Sequence, residues 1–176
     1  MARRAAQTAL YRICRDLCRL LAPMASFTAE EAWQHLPGEK ASSVFLAGMP
    51  EPQPALVDDA LEDEFRHLVS FRQVVNEALE AKRVAKEIGK ATEADVVLRV
   101  PREPPVLREV AEKYEAQLAD LFLCATVRLD PGETLSAEVK RSPHPSCERC
   151  WRALAEVSGS PALCRRCRRA VAGESQ

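Results

Sequence analysis

Residues 147–167 read CERCWRALAEVSGSPALCRRC and contain two Cys-x-x-Cys pairs, Cys147 with Cys150 and Cys164 with Cys167. Each pair directs two sulfurs from one tight turn toward a common point, and two such turns supply four thiolates. Four thiolates favour a tetrahedral Zn²⁺ site and leave no coordination position open for water. The spacing therefore predicts one structural zinc ion, although two redox disulfides would use the same cysteines.

The segment around these cysteines has few apolar residues with which to build a core. They are Trp151, Leu154, Val157 and Leu163. Metal binding must then supply much of the folding free energy of the segment, on the order of 10 kcal/mol. We therefore expect residues 140–176 to form a separate module, a zinc knuckle.

The knuckle is strongly basic. Residues 140–169 carry eight Lys/Arg and two acids, whereas residues 28–65 carry nine acids and one lysine. Two or three arginines would balance the negative charge of a zinc–tetrathiolate unit, and the surplus either contacts nucleic-acid phosphates or forms a solvated surface. Trp151 either stacks on a base or packs in the small core. The candidate nucleic-acid-binding residues are Lys140, Arg141, Arg149, Trp151, Arg152, Arg165, Arg166, Arg168 and Arg169.

The composition is that of an ordinary globular protein. Its 176 residues are 47% hydrophobic and 29% charged, which indicates one or two domains. No apolar stretch approaches 18 residues, about the minimum for a membrane span, and no apolar region follows the basic N-terminus. Seven cysteines, an odd number, argue against a secreted disulfide scaffold. We expect a cytoplasmic protein without a membrane partner.

The first part of the chain reads as helical. Residues 3–21 carry one apolar stripe at helical spacing, and the pattern starts without a capping residue, as in a helix cut from a longer bundle. Thr28 and Glu31 fit a capping box for a second helix that buries Trp33. Residues 43–48 are predicted to be extended, and the Pro-rich residues 50–54 to form a stiff linker.

A long helix is predicted from Asp58 to about Ile88, with a break possible near Ser70. Gly89 is expected at its C′ position. Its inward face would consist of Leu61, Phe65, Leu68, Val75 and Leu79, and its basic C-terminal end of Lys82, Arg83, Lys86 and Lys90.

Residues 90–140 change to a β-α-β-β pattern. Alternating apolar residues predict a strand over 96–100, and helical spacing returns over 105–122. Two further strands, 123–129 and 135–140, are predicted to form a hairpin through the Asp-Pro-Gly-Glu turn at 130–133. The sequence thus predicts an α+β fold, mostly helical: a helical-bundle remnant and a long helix, a small β-α-β-β layer and a C-terminal zinc knuckle.

No catalytic residues are predicted. The three histidines have no carboxylate partner in the sequence pattern, and the chain contains no nucleophile triad, P-loop or GxGxxG motif. The sequence therefore carries none of the motifs by which the common hydrolase and nucleotide-binding classes are recognised.

Several blocks, in order, resemble one family. Leu20–Pro23, Phe27–Trp33 and Ser43–Leu46 resemble the end of the helical anticodon-binding domain of class I aminoacyl-tRNA synthetases. Val75–Glu80 with the basic segment after it, and then Cys147–Trp151 with Leu163–Cys167, resemble the bacterial isoleucyl enzymes. The resemblance covers about residues 3–172. It implies three parts: 1–57, the end of the anticodon-binding domain and a linker; 58–139, a long helix with a small α+β region; and 140–176, the four-cysteine zinc module.

The resemblance implies a role in binding tRNA, specifically tRNA-Ile, with the four cysteines matching the zinc ligands of the family. The catalytic Rossmann core with its HIGH-type and KMSKS-type signatures is absent from this sequence, as is the editing domain. We therefore expect the chain alone to be inactive, with ATP entering only through the missing catalytic core, whose polypeptide is a further expected partner. The alternative is a free-standing zinc-knuckle module that binds RNA or protein without catalysis.

Overall fold

The computed structural model describes residues 2–173. The chain forms two compact units, Met1–Val57 and Asp58–Gln176. The first unit is helical, and the second combines helices with one three-stranded sheet. The predicted α+β class is confirmed. Within the described residues, no helix is long and apolar enough to cross a lipid bilayer.

The first unit is built on two helices, α1 (Ala2–Leu21) and α2 (Ser26–His35). Their shared core buries Trp33, as predicted, and its indole N–H donates to the carbonyl of Ala41 at 2.9 Å. The predicted capping box at Thr28 and Glu31 is wrong. The chain turns directly from α1 into α2, which therefore starts two residues early and has no side-chain cap.

The apolar stripe of α1 lies on the solvent side of the helix. Leu10 and Ile13 are 65% and 56% exposed, whereas Cys18 and Ala22 form the side that packs against α2. Arg19 also lies on the packed side, where its guanidinium donates to the carbonyls of residues 47, 48 and 49. The buried side of α1 is thus narrow and partly polar.

The segment predicted to be extended, residues 43–48, contains a 3₁₀ turn at Val44–Leu46. The Glu30 carboxylate accepts from the Val44 amide at 2.9 Å and from the Ser43 hydroxyl at 2.8 Å. The expectation of an extended segment fails because a side chain of α2, distant in sequence, folds this backbone into a turn.

The second unit begins with α3 (Asp59–Val84), capped by the Asp58 carboxylate, which accepts from the Leu61 amide at 3.0 Å. The helix runs through Ser70 without a break. Its buried face is formed by Leu68, Phe71, Val75 and Leu79. Leu61 and Phe65 were expected on this face, but they are 44% and 47% exposed because the helix reaches the core only from Leu68 onward.

Helix α3 ends earlier than predicted. Lys86, not Gly89, takes the left-handed conformation, with φ 58°. The amides of Lys86 and Glu87 bond back to the carbonyls of Arg83 and Lys82 at 2.9 and 3.0 Å, which closes a Schellman motif. The helix ends here because Ile88 turns into the core, where it is almost fully buried.

The sheet contains β1 (Ala94–Pro101), β2 (Thr126–Gly132) and β3 (Ser136–Arg141) in the order β2-β1-β3. Strand β1 is parallel to β2 and antiparallel to β3, so the predicted hairpin between the last two strands is wrong. The most apolar strand, with Val96, Leu98 and Val100 buried, separates them. Asp-Pro-Gly continues β2 as strand instead of turning, since Pro131 lies on an edge strand where no ladder amide is needed.

Two helices, α4 (Pro105–Lys113) and α5 (Glu115–Leu121), replace the single helix predicted over 105–122. They meet at Tyr114, whose hydroxyl donates to Glu64 of α3 at 2.7 Å. Lys113 forms an ion pair with the same carboxylate at 2.6 Å. The junction is therefore set by a contact with α3, which helical spacing does not encode.

Candidate metal centre and nucleic-acid interface

Four sulfur atoms come together in the C-terminal part of the second unit. The Sγ atoms of Cys147, Cys150, Cys164 and Cys167 all lie within 4.8 Å of one another. Those of Cys150 and Cys164 are 3.8 Å apart, close to the ~3.8 Å edge of a tetrahedron with metal–sulfur bonds of about 2.3 Å. All seven cysteines lie among the described residues and are free thiols, so no disulfide joins the cluster. The four side chains could hold one metal ion.

Backbone amides surround the sulfur of Cys147. The Cys164 amide donates to it at 3.4 Å. Burial opposes ionisation of Cys147, but backbone hydrogen bonds from Cys150, Cys164 and Arg149 outweigh it and lower its pKa to about 6. For Cys164, burial raises the pKa to about 12. The backbone amides around the Cys147 sulfur favour its thiolate form, whereas burial opposes the thiolate form of Cys164.

The two Cys-x-x-Cys turns are built differently. The first is closed by the Trp151 amide, which donates to the Cys147 carbonyl at 2.8 Å, and Trp151 has a left-handed φ of 63°. The second lies at the start of α6 (Arg165–Val171), immediately after Cys164. Val157 and Leu163 pack between the turns as the small apolar core.

The knuckle is attached to the sheet layer of its own unit by backbone and side-chain bonds. The Ala153 amide donates to the Thr92 carbonyl at 3.0 Å. The Arg152 guanidinium donates to the Asp120 carboxylate and to the Ala125 carbonyl, each at 2.7 Å. These bonds fix the four sulfurs relative to the strands and to α5.

The candidate basic residues divide by what their side chains contact. Arg152 and Arg168 are engaged within the protein, Arg168 with the Ser158 hydroxyl at 2.9 Å and with two carbonyls. Arg166 lies 3.5 Å from Asp120 and Arg165 3.8 Å from Glu156, and both remain exposed. Lys140 is 2.7 Å from Glu138.

The remaining candidate arginines lie on the surface. Arg141, Arg149 and Arg169 are exposed, and Arg149 lies between Cys147 and Cys150 in the first turn. For Arg166, desolvation is outweighed by the charges of Asp120 and of the Cys150 and Cys167 sulfurs, which raise its pKa. Arg166 therefore lies beside both the Asp120 carboxylate and the sulfur cluster.

Trp151 is not part of the knuckle core. Its side chain is 60% exposed, and the Nζ atom of Lys90 lies 5.0 Å from the centre of its ring. The expectation that Trp151 could serve as the core is wrong because Val157 and Leu163 fill that role.

Sequence reasoning missed Asp120, which faces Arg152 and Arg166 of the knuckle. These residues are separated by 32 and 46 positions. A single acid in an amphipathic helix carries no sign of such distant partners. Lys90 was recognised as part of a basic helix end, but its contact with Trp151 was not.

The first half of the chain matches a known protein family. The model of the family "anticodon-binding domain of tRNA ligase" matches residues 1–98, more than half of the chain. The chain belongs to this family. The match extends past the first unit of the chain and reaches into β1.

Full-length relatives extend the similarity to the knuckle. An isoleucine–tRNA ligase from Dichelobacter nodosus is 41% identical over 171 residues, covering 95% of this chain and 18% of the relative. One from Syntrophotalea carbinolica is 41% identical over 180 residues, covering 95% and 19%. One from Natranaerobius thermophilus is 34% identical over 182 residues, covering 94% and 19%. The chain spans about a fifth of the length of these relatives.

Proposed function

We propose that the chain is a tRNA-binding, C-terminal region of an isoleucine–tRNA ligase, in which a structural Zn²⁺ ion supports a basic RNA-binding surface. The observation that carries the proposal is the cluster of four sulfurs within 4.8 Å, set among exposed arginines. The names of the relatives support isoleucine and tRNA-Ile as the specificity. The location we propose is the cytoplasm, where such ligases would meet tRNA.

Zinc is the metal we propose for Cys147, Cys150, Cys164 and Cys167. Four sulfur donors at tetrahedral spacing suit Zn²⁺ better than Mg²⁺ or Ca²⁺, which prefer oxygen ligands. With four protein ligands there is no position for a reactive water, so the ion's role is to stabilise the fold. It would hold the turns that carry Arg149 and Trp151.

The RNA surface that we propose consists first of the exposed residues Arg141, Arg149 and Arg169 with Trp151. Lys140, Arg165 and Arg166 join them because their acidic partners lie at the surface, where RNA phosphates can compete for them. Arg152 and Arg168 act mainly within the protein, as their short bonds to Asp120 and Ser158 support. Phosphate contacts would supply the affinity, and Trp151 would supply a stacking contact.

The division of the chain into three functional parts is also a proposal. Residues 1–57 would be the end of the anticodon-binding domain with a linker, 58–139 the long helix with its α+β region, and 140–176 the zinc module. The chain alone would be inactive in aminoacylation. ATP would bind only to a catalytic core, which these residues do not supply, and that core is a proposed partner.

The test is filter binding of the purified chain to tRNA-Ile, a non-cognate tRNA and an unrelated polyanion across a salt series. We expect tRNA to compete better than the polyanion, and log K to fall linearly with log salt. The double substitution Arg165→Ala, Arg166→Ala should lower that slope by roughly one for each phosphate that these arginines neutralise in the wild type.

Three results would count against the proposal. An unchanged slope would remove Arg165 and Arg166 from the RNA surface. Equal competition by the polyanion at physiological salt would favour the alternative, a free-standing interaction module. Elemental analysis that found no zinc in stoichiometric amount would remove the structural ion.

A further inference from the structure

The basic knuckle contains two glutamates whose carboxylates bond to its own backbone. Glu148 accepts from the Ala162 amide at 3.0 Å, and Glu156 accepts from the Arg165 amide at 3.1 Å. These two amides lie on either side of Cys164, the first cysteine of the second pair. A carboxylate repels RNA phosphates, so a surface that binds RNA has a reason to exclude acids. Both glutamates instead act on the backbone that carries the second cysteine pair.

Glu148 connects the first cysteine turn to the second by two hydrogen bonds. Its amide donates to the Ala162 carbonyl at 2.9 Å, and its carboxylate accepts from the amide of the same alanine. Glu148 directly follows Cys147, and Ala162 lies two residues before Cys164. The two bonds therefore set the distance between the first cysteines of the two pairs. The Cys164 amide, which donates to the Cys147 sulfur at 3.4 Å, lies in the position that this arrangement requires.

Apolar packing contributes little to holding the second turn in place. Apart from the cysteines, the buried side chains of the knuckle core are Val157 and Leu163, and Ala162 is only partly buried. A core of this size leaves much of the positional order to hydrogen bonds. A metal ion is bound tightly where its ligands are already held in place, because binding then does not have to order the chain as well. The bonds of Glu148 to Ala162 supply this order between the two turns.

We infer that Glu148 is a positioning residue for the four-sulfur site, which holds the second cysteine pair in place and thereby slows the release of zinc. The inference rests on the structural Zn²⁺ ion of the proposed function. The carboxylate acts here as a hydrogen-bond acceptor and not through its charge. A negative charge beside the cluster opposes the thiolate forms that bind the metal. The acceptor and the charge of Glu148 therefore have opposite effects on metal binding, and a substitution can separate them.

The experiment measures the release of Zn²⁺ from the full chain into an excess of a chromogenic chelator. Glu148→Ala should release zinc about three- to tenfold faster than the wild type, as expected for the loss of one hydrogen bond. Glu148→Gln should release it at the wild-type rate or more slowly, because glutamine keeps an oxygen acceptor and removes the charge. Glu109→Ala, which removes an exposed glutamate from α4 outside the knuckle, is the matched control and should keep the wild-type rate.

Two results would overturn the positioning role of Glu148 and leave the metal centre intact. One is an unchanged release rate in Glu148→Ala, and the other is the same change of rate in Glu148→Ala and Glu148→Gln. If Glu148→Ala is isolated without zinc, equilibrium competition for Zn²⁺ with the chelator replaces the rate. Wild-type affinity in Glu148→Gln then supports the role, and an equal loss in both variants overturns it. A wild-type chain without stoichiometric zinc would refute the proposed metal centre and the inference with it.

Discussion

The guanidinium of Arg152 donates to the carboxylate of Asp120 at 2.7 Å and thereby links the knuckle to α5. The Arg152 side chain is only 19% exposed, and the Asp120 side chain is 60% exposed. A second bond from Arg152 reaches the Ala125 carbonyl at 2.7 Å. The arginine therefore links the four-cysteine knuckle to the sheet layer.

We expect Arg152→Ala to lower the free energy of unfolding of the second unit by about 1–2 kcal/mol. The substitution leaves the Ala125 carbonyl without this partner, while the ion pair with the exposed Asp120 contributes less. Urea denaturation measures the change, and the exposed Arg169→Ala, expected within about 0.5 kcal/mol of the wild type, is the control. An unchanged stability together with a smaller salt slope for tRNA binding would make Arg152 an RNA contact instead.

Replacing one cysteine of the cluster should unfold the knuckle and leave the rest of the fold intact. In Cys147→Ser the cluster loses one of its four sulfur donors, and we expect the zinc content to fall from one ion per chain to near zero. The knuckle should then unfold, with the helices of residues 1–140 retained in circular dichroism. Cys124→Ser, a buried cysteine outside the cluster, is the control and should keep its zinc. Global loss of helix in Cys147→Ser would contradict the modular organisation.

The left-handed residue that ends α3 offers a gain in stability. Lys86 has φ 58° at the C′ position, where glycine carries no steric penalty. Lys86→Gly should therefore stabilise the protein by up to about 1 kcal/mol. Ala85→Gly, at the neighbouring position with right-handed helical angles, should destabilise it by about 0.5–1 kcal/mol. Thermal melting of the two variants tests whether the left-handed conformation of Lys86 costs stability. The explanation fails if both substitutions change the stability in the same direction.

Glu138 should make the sheet sensitive to acid. Hydrogen bonds from Lys140 and Arg99 lower its pKa to about 2 from an ordinary 4.5. Because the pKa is lower in the folded state, the contribution of Glu138 to stability is complete above about pH 4.5 and is lost as the pH falls toward 2. Urea midpoints at neutral pH and at pH near 3 should therefore differ less in Glu138→Gln than in the wild type. Loss of metal at low pH would affect both proteins alike. An equal pH dependence in the two proteins would therefore show that ionised Glu138 does not contribute to stability.

The sequence alone determined those features that neighbouring residues encode. Two Cys-x-x-Cys turns, each closed by local backbone bonds, were enough to predict the sulfur cluster. Apolar periodicity identified α1, most of α3 and the central strand around Leu98, because apolar residues recur at a fixed spacing along one element. In α1 the same stripe faces solvent, which the spacing did not reveal. These patterns can be read from one segment without knowing which residues pack against it.

Only the tertiary structure decided the features that depend on distant partners. The strand order depends on β1 pairing with both β2 and β3, and the division at Tyr114 depends on Glu64, 50 positions earlier. Distant partners also decide the environment of two side chains of the knuckle. Arg152 was predicted to contact RNA but bonds to Asp120, and Trp151 lies exposed beside Lys90. Charge and aromaticity are visible in a sequence, but the direction a side chain faces is set by segments that fold against it.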